Sequence, residues 1–227
     1  MQRRKRRQCS LIKQQLQLYF IMGSVNTGVS DPLKVLEEAL RGGVTCFQLR
    51  EKGNNALVGN EKRAFAEACQ TLCQHYNVPF IVNDDVELAI AINADGVHVG
   101  QDDETAAIVR ERIGKDKILG VSVHNESEML AAIKVGADYV GMGPVYITSS
   151  KADAKPVSGT ALIQQMSSLY PAMPIVGIGG ITVANFEPVL EAGASGVSII
   201  SAIASAIDPY ITVRRFKIAI SKEVFSS

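Results

Sequence analysis

The chain has 227 residues, the size of one large domain or two small ones. Its 23 basic and 23 acidic residues cancel, but five of the basic ones are Arg3, Arg4, Lys5, Arg6 and Arg7, which leaves 18 against 23 in the rest, a net charge of −5. Such a body lacks the basic surface that nucleic acid or an acidic membrane needs. No run of 18 apolar residues is present to span a bilayer, and a hydrophobic content of 47% is that of a packed core rather than a disordered chain.

Residues 1–9 read as a basic, solvated extension with no signal-peptide pattern behind it, and residues 10–227 as one domain. Cys9, Cys46, Cys69 and Cys73 lack the second pair or the histidines of a zinc site. They read as small hydrophobes in a reducing compartment, so a cytoplasmic location is expected.

Four segments resemble one another: Arg41-Gly-Gly-Val-Thr-Cys-Phe-Gln, Asn93-Ala-Asp-Gly-Val-His-Val-Gly, Val135-Gly-Ala-Asp-Tyr-Val-Gly-Met-Gly and Ala192-Gly-Ala-Ser-Gly-Val-Ser-Ile-Ile. In each, a helical pattern ends at a small-residue turn and feeds a short apolar run, as a helix does when it leads into a strand buried on both faces. Taken in chain order, strands are expected at Leu18–Met22, Cys46–Arg50, Phe80–Asn83, Gly96–Val99, Ile118–Ser122, Tyr139–Gly141, Ile175–Gly177 and Gly196–Ile200. Between them helices are expected from Asp31-Pro32, a cap followed by a proline at the first helical position, and at Asn60–Tyr76, Asp85–Ile92, Asp103–Ile113, Glu126–Val135, Ala161–Tyr170, Ala184–Glu191 and Asp208–Lys222. Eight alternating units in about 200 residues predict an α/β chain folded as a single (β/α)8 TIM barrel with a parallel eight-stranded core. The rival open sheet would favour G-x-G-x-x-G after the first strand, and Gly23-Ser24-Val25-Asn26-Thr27-Gly28 lacks that spacing.

A barrel builds its active site from the loops at the C-terminal ends of its strands. The second strand ends in Gln48-Leu49-Arg50-Glu51-Lys52, where alternation places Gln48, Arg50 and Lys52 on one face, a set suited to a multiply charged anion. The third ends in Asn83-Asp84-Asp85 and the fourth leads to Gln101-Asp102-Asp103-Glu104. Carboxylates beside an anion site repel it unless a hard cation such as Mg2+ lies between, although Asp85 and Asp103 also suit helix starts. After the fifth strand, His124 could act as an acid or base, or simply begin a helix with Asn125. His98, inside the fourth strand, is expected to pack or hydrogen-bond within the barrel, and His75 at a helix end to be structural. The segment Gly143 to Gly159 is the longest without periodicity and reads as a binding loop, its Thr148, Ser149, Ser150 and Lys151 suited to phosphate. Gly177-Ile178-Gly179-Gly180 and Ser198-Ile199-Ile200-Ser201 follow strands seven and eight, where barrels frequently cradle a phosphate. The site thus has two anion ends, fitting two phosphorylated substrates or one long one.

These residues resemble the thiamin-phosphate synthase family from about Leu18 onward. The resemblance is carried by Gln48-Leu-Arg-Glu-Lys52, Asn83-Asp-Asp-Val-Glu-Leu-Ala89, Asp95-Gly-Val-His-Val-Gly-Gln101 with Asp103, Leu119-Gly-Val-Ser122, Asp138-Tyr-Val-Gly-Met-Gly-Pro144, Pro174-Ile-Val-Gly-Ile-Gly-Gly-Ile181 and Gly196-Val-Ser-Ile-Ile-Ser201. It implies a (β/α)8 enzyme that joins the hydroxymethylpyrimidine diphosphate to the thiazole phosphate, giving thiamin phosphate and diphosphate, with Mg2+ as cofactor. Carried over residue by residue, Gln48, Arg50, Lys52, Asn83, Ser122 and Lys151 would hold the pyrimidine diphosphate, and Arg50, Lys52, Ser122 and Lys151 would assist its departure. Asp84 and Asp103 would hold the metal. Thr148 and Ser150 would meet the thiazole, with Gly180, Ile200 and Ser201 around its phosphate. Where the family carries Tyr or Phe and then Pro-Thr-x-Thr-Lys, this chain has Tyr146-Ile147-Thr148-Ser149-Ser150-Lys151, so the hydroxyls are retained and a less rigid loop is expected. The partners implied are two small molecules, with neither nucleic acid nor membrane, and a homo-oligomer is compatible. Two alternatives are a thiazole tautomerase-like isomerase with His124 as base, which would not need the diphosphate and metal end, and a non-catalytic sensor of phosphorylated ligands. A sugar-phosphate barrel enzyme is a further alternative, resting on fold analogy alone.

Overall fold

The computed structural model describes residues 10–148, 150 and 156–226, with side chains through 221. The expected extension 1–9, with Cys9, and the loop residues Ser149 and Lys151 lie outside the described residues.

Eight parallel strands close in chain order into a barrel: β1 Leu18–Met22, β2 Cys46–Leu49, β3 Phe80–Asn83, β4 Gly96–Val99, β5 Ile118–Val123, β6 Tyr139–Met142, β7 Ile175–Ile178 and β8 Gly196–Ile199. The last pairs back with the first, Tyr19 standing opposite Ser198. Each strand lies within one residue of the bounds expected from the sequence. The helices are α1 (10–15), α2 Pro32–Gly42, α3 Gly59–His75, α4 Val86–Ala91, α5 Ala106–Ile113, α6 Glu126–Lys134, α7 Ala161–Leu169, α8 Glu187–Glu191, α9 Ser201–Ala204 and α10 Pro209–Ser226.

Local chemistry explains most of these bounds. In α2 the Asp31 carboxylate accepts from the Leu33 N–H at 3.0 Å, Pro32 opens the helix, and Gly43 closes it in the left-handed region at φ 108°. The α2 face Val35, Leu36, Ala39 and Leu40 is buried against the barrel. Phe20, Phe47 and Phe80 stack along the outer face of β1, β2 and β3, with successive ring centroids 5.6 and 6.0 Å apart. Burying each contributes about 1.5–3 kcal/mol.

Three expectations are corrected. Helix α5 begins at Ala106, three residues after Asp103, because the Asp103 carboxylate turns back to accept the Gly100 N–H at 2.8 Å and the chain reaches the helix only past that turn. Helix α8 begins at Glu187 rather than Ala184, since the Asn185 and Thr182 side chains accept backbone N–H groups of the preceding turn. Helices α1 and α9 have no counterpart among the expected elements.

The barrel interior divides into a mainly hydrophobic lower layer and a polar upper one. Tyr19, Ile21, Cys46, Ile81, Tyr139 and Val176 form the lower layer, and Ile12 and Leu16 of the segment containing α1 pack against it at the N-terminal mouth. The upper layer carries Asn83, His98 and Ser122, linked across adjacent strands by the register that places Asn83 beside His98 and His98 beside Gly120. The closed lower end and polar upper end put the accessible chemistry at the C-terminal face, as the fold requires.

Candidate active site

A cleft of about 240 Å³ opens at that face. Of the residues singled out in the sequence, Arg50, Lys52, Asn83, Asp84, Asp103, Ser122, Thr148, Ser150 and Ile200 line it together. Gln48 does not reach the wall. It lies one layer deeper, 2% exposed, with its Nε2 donating to the Tyr19 hydroxyl at 2.8 Å. Gly180 and Ser201 are not among the wall residues, although their chain neighbours Gly179 and Ile200 are.

On the β2–β4 side, three charged groups meet. The Lys52 ammonium pairs with Asp84 and lies 3.8 Å from an Asp103 oxygen. Asp84 also accepts from Asn83 Nδ2 at 2.6 Å, and its backbone takes the left-handed conformation at φ 60°, uncommon for a residue with a side chain. Burial and the adjoining Asp103 carboxyl hold Asp84 above the ordinary carboxylate range despite Lys52. Burial also works against ionisation of Asp103, but the Asp84 carboxyl, the Gly100 N–H and Lys52 together bring it below its ordinary value. Lys52 is opposed by its own partial burial, and Asp84 and Asp103 nevertheless raise it. Two adjoining carboxylates sharing one ammonium form a set of hard oxygen donors with incompletely balanced charge, and that set fits a small divalent cation.

Asp85 is accounted for separately. It caps α4 by accepting the Leu88 N–H at 3.0 Å and pairs with Lys62 at 2.6 Å, so it serves the helix start that the sequence allowed for it. Glu51, just before Lys52 and 8% exposed, accepts from the Ser24 N–H at 2.8 Å, the Ser24 hydroxyl and the Leu57 N–H at 2.9 Å. It ties the loop after β1 to the loop after β2.

The opposite wall is built from the segments after β6 and β7. The Val145 and Tyr146 N–H groups donate to Ile178 and Gly179 carbonyls at 2.8 and 3.0 Å. The Tyr146 hydroxyl donates to the Asn185 carbonyl at 2.8 Å. Gly180, at φ 64°, is packed so closely that a Cβ there would lie 2.5 Å from the Ile147 carbonyl oxygen. The glycines therefore join two loops as well as exposing backbone to the cleft.

Among the polar wall residues, His98, Gln101 and Asp102 are ones to which the sequence assigns no individual ligand role. For His98 the signal was its inward parity with Asn83. Gln101 donates to the Ser122 carbonyl at 2.6 Å, a contact between adjacent strand ends with no local sequence signature. His124 also lines the cleft, with Nδ1 3.0 Å from Glu128 at the start of α6.

A family model described as thiamine monophosphate synthase matches residues 18–203, all eight strands. The chain belongs to that family. The thiamine-phosphate synthase of Bacillus licheniformis is 59% identical over 198 residues, 87% of this chain and 88% of the relative. That of Geobacillus kaustophilus is 60% identical over 198 residues, 87% and 89% of the two chains. Among solved structures, a thiamine phosphate pyrophosphorylase from Pyrococcus furiosus superposes with a TM-score of 0.83 at 31% identity, covering 93% of this chain and 98% of that one. These relatives bear out the resemblance read from the sequence, with its barrel fold and its transferase class in thiamin biosynthesis. Among the described residues, no helix is long and apolar enough to cross a membrane.

Proposed function

We propose that the cleft joins a pyrimidinylmethyl diphosphate to a thiazole phosphate by a dissociative substitution. The methylene C–O bond breaks and its electron pair leaves with the diphosphate. The electron-rich aminopyrimidine carries the methylene cation, and the thiazole nitrogen then forms the new C–N bond. This route needs no protein nucleophile and no strong base, so His124 is left to its pairing with Glu128.

Arg50 and Lys52, together with Lys151, take the departing negative charge. Asn83 and Ser122 orient the diphosphate, and Gln48 supports the pyrimidine end from the layer beneath. Thr148 and Ser150 meet the thiazole, whose phosphate is taken by backbone around Gly180, Ile200 and Ser201. Asp84 and Asp103 would hold Mg2+, which when bound neutralises diphosphate charge. The single catalytic domain spans 10–227, outside the basic extension, and three free, buried thiols (Cys46, Cys69 and Cys73) favour a cytoplasmic setting.

The observation that carries this reading is the meeting of Arg50, Lys52, Asn83, Asp84, Asp103 and Ser122 on one side of a cleft whose other side carries Thr148, Ser150 and Ile200. The test is a coupling assay with both precursors and either Mg2+ or EDTA, following thiamin phosphate. Product formed with Mg2+ and lost with EDTA is expected. Folded protein that binds the thiazole phosphate without forming product would overturn the proposal.

A further inference from the structure

Four hydrogen bonds run end to end through the barrel interior and finish at the cleft. Gln48 Nε2 donates to Tyr19 Oη at 2.8 Å. Tyr19 Oη and Tyr139 Oη are 2.8 Å apart, and Tyr139 Oη is 3.0 Å from His98 Nδ1. His98 Nε2 is in turn 3.0 Å from Ser122 Oγ. These groups come from five different strands, and Tyr19 and Tyr139 are each 1% exposed.

The donor inventory restricts how protons can be placed along the chain. An amide nitrogen only donates, a phenol has one proton to give, and a neutral imidazole carries one N–H. Tyr19 receives from Gln48, and its own proton can go to Tyr139 or to the adjoining Cys46 thiol; the chain runs outward when Tyr139 takes it. Tyr139 then gives its proton to His98 Nδ1, which leaves the ring proton on Nε2, aimed at Ser122 Oγ. With that oxygen already accepting, the Ser122 proton is free to point into the cleft. Burial raises both phenols far above their ordinary range, so both remain protonated donors at neutral pH.

We propose that this relay fixes His98 as its Nε2–H tautomer and thereby presents the Ser122 hydroxyl as a donor to an anionic oxygen in the cleft. In the reverse direction Ser122 would spend its proton on His98 and offer that anion only lone pairs. Tyr19, Tyr139 and His98 are positioning residues, and Ser122 alone touches substrate. The identity of the anion as the diphosphate rests on the function proposed above; the tautomer does not.

The test is long-range 1H–15N correlation on the full chain with 15N-labelled histidine at pH 8, with His98 identified by the signals lost in His98→Gln. The Nε2–H pattern is expected in the unsubstituted protein. An Nδ1–H tautomer, or an imidazolium, would overturn the relay whether or not any variant folds. Tyr139→Phe should bring in the Nδ1–H form and lower kcat about tenfold with little change in KM, the scale of one hydrogen bond to a charged group. An unchanged tautomer in that variant would overturn the role of Tyr139. In a Ser122→Ala background the same substitution should cost no further kcat, since both changes remove one donor; an additive loss would overturn the route through Ser122. The spectrum requires no turnover. A failed coupling assay beside an Nε2–H tautomer would overturn the diphosphate assignment, and an Nδ1–H tautomer beside normal coupling would overturn the relay.

Discussion

Gly120 and Tyr139 stand directly opposite one another on β5 and β6, and the tyrosine ring occupies the space a side chain on Gly120 would need. A Cβ at position 120 would lie 2.2 Å from the ring Cζ and 2.5 Å from His98 Nδ1. Neither neighbour is the free end of a flexible chain, because both are buried and hydrogen-bonded. Gly120→Ala is therefore expected to destabilise the fold by about 1–3 kcal/mol, the usual cost of overfilling a packed interior. Chemical denaturation measures it. A midpoint unchanged within error would show that the ring moves aside without cost.

Lys217 on α10 provides a pH test remote from the cleft. Its stem lies against Gly43 at the end of α2, where a Cβ would come 3.3 Å from Lys217 Cγ. Partial burial, aided by repulsion from Arg214, holds its ammonium below the ordinary lysine value. The folded state thus releases this proton more readily than the unfolded chain. The group opposes folding while it is charged in both states. Stability should rise as pH climbs through the lowered value, and the gain should be complete above the ordinary 10.5. Lys217→Met should raise the thermal midpoint at pH 7 and flatten that alkaline rise. A midpoint at pH 7 that falls on substitution would refute the sign.

The barrel was legible because each of its strands is announced locally. Gly43, Gly136 and Gly193 end helices at positive φ, and β-branched runs follow them. The charged half of the site was legible for the same reason, since Arg50, Lys52, Asp84 and Asp103 follow strand ends that the sequence locates. The Gln48–Tyr19–Tyr139–His98–Ser122 chain was not, because it joins residues up to 120 positions apart, as between Tyr19 and Tyr139. Its one local trace is inward parity along β1, β2, β4, β5 and β6, and parity does not say which hydroxyl meets which ring. The turn at Asp103 misled for a related reason: an aspartate before an apolar run resembles a helix cap, and only the Gly100 N–H shows where the carboxylate is spent.

Glu51 shows how a buried charge can act on the site without facing it. Its carboxylate accepts two backbone N–H groups and one hydroxyl, all from the loops flanking Arg50 and Lys52. In Glu51→Ala both N–H groups, on Ser24 and Leu57, lose their acceptor, at about 1–3 kcal/mol for each that stays buried. Beyond lost stability, the loop that carries Lys52 loses its anchor. KM for the pyrimidine diphosphate should rise several-fold more than KM for the thiazole phosphate. Steady-state kinetics with each substrate varied in turn tests this, and equal rises in the two KM values would count against an anchoring role.

Asp84 and Asp103 carry the sharpest consequence of the charge arrangement. Burial and the Asp103 carboxyl raise Asp84 while Lys52 opposes them, since one lysine cannot balance both carboxylates. A bound cation would relieve that repulsion, and removing one carboxylate would relieve it another way, at the expense of one of the two proposed metal ligands. Asp103→Asn keeps the side-chain shape and an oxygen for the Gly100 N–H, so folding should survive. Two effects should then appear together. In metal-free protein the Asp84 carboxyl should titrate lower than in the unsubstituted chain, followed by 13C shifts of labelled aspartate. In the calorimeter Mg2+ should bind more weakly by about tenfold or more, ~1.4 kcal/mol, with turnover at fixed Mg2+ falling in parallel. A lowered Asp84 titration with unchanged Mg2+ affinity would mean that the two carboxylates interact without sharing a metal, and the ligand assignment would fail.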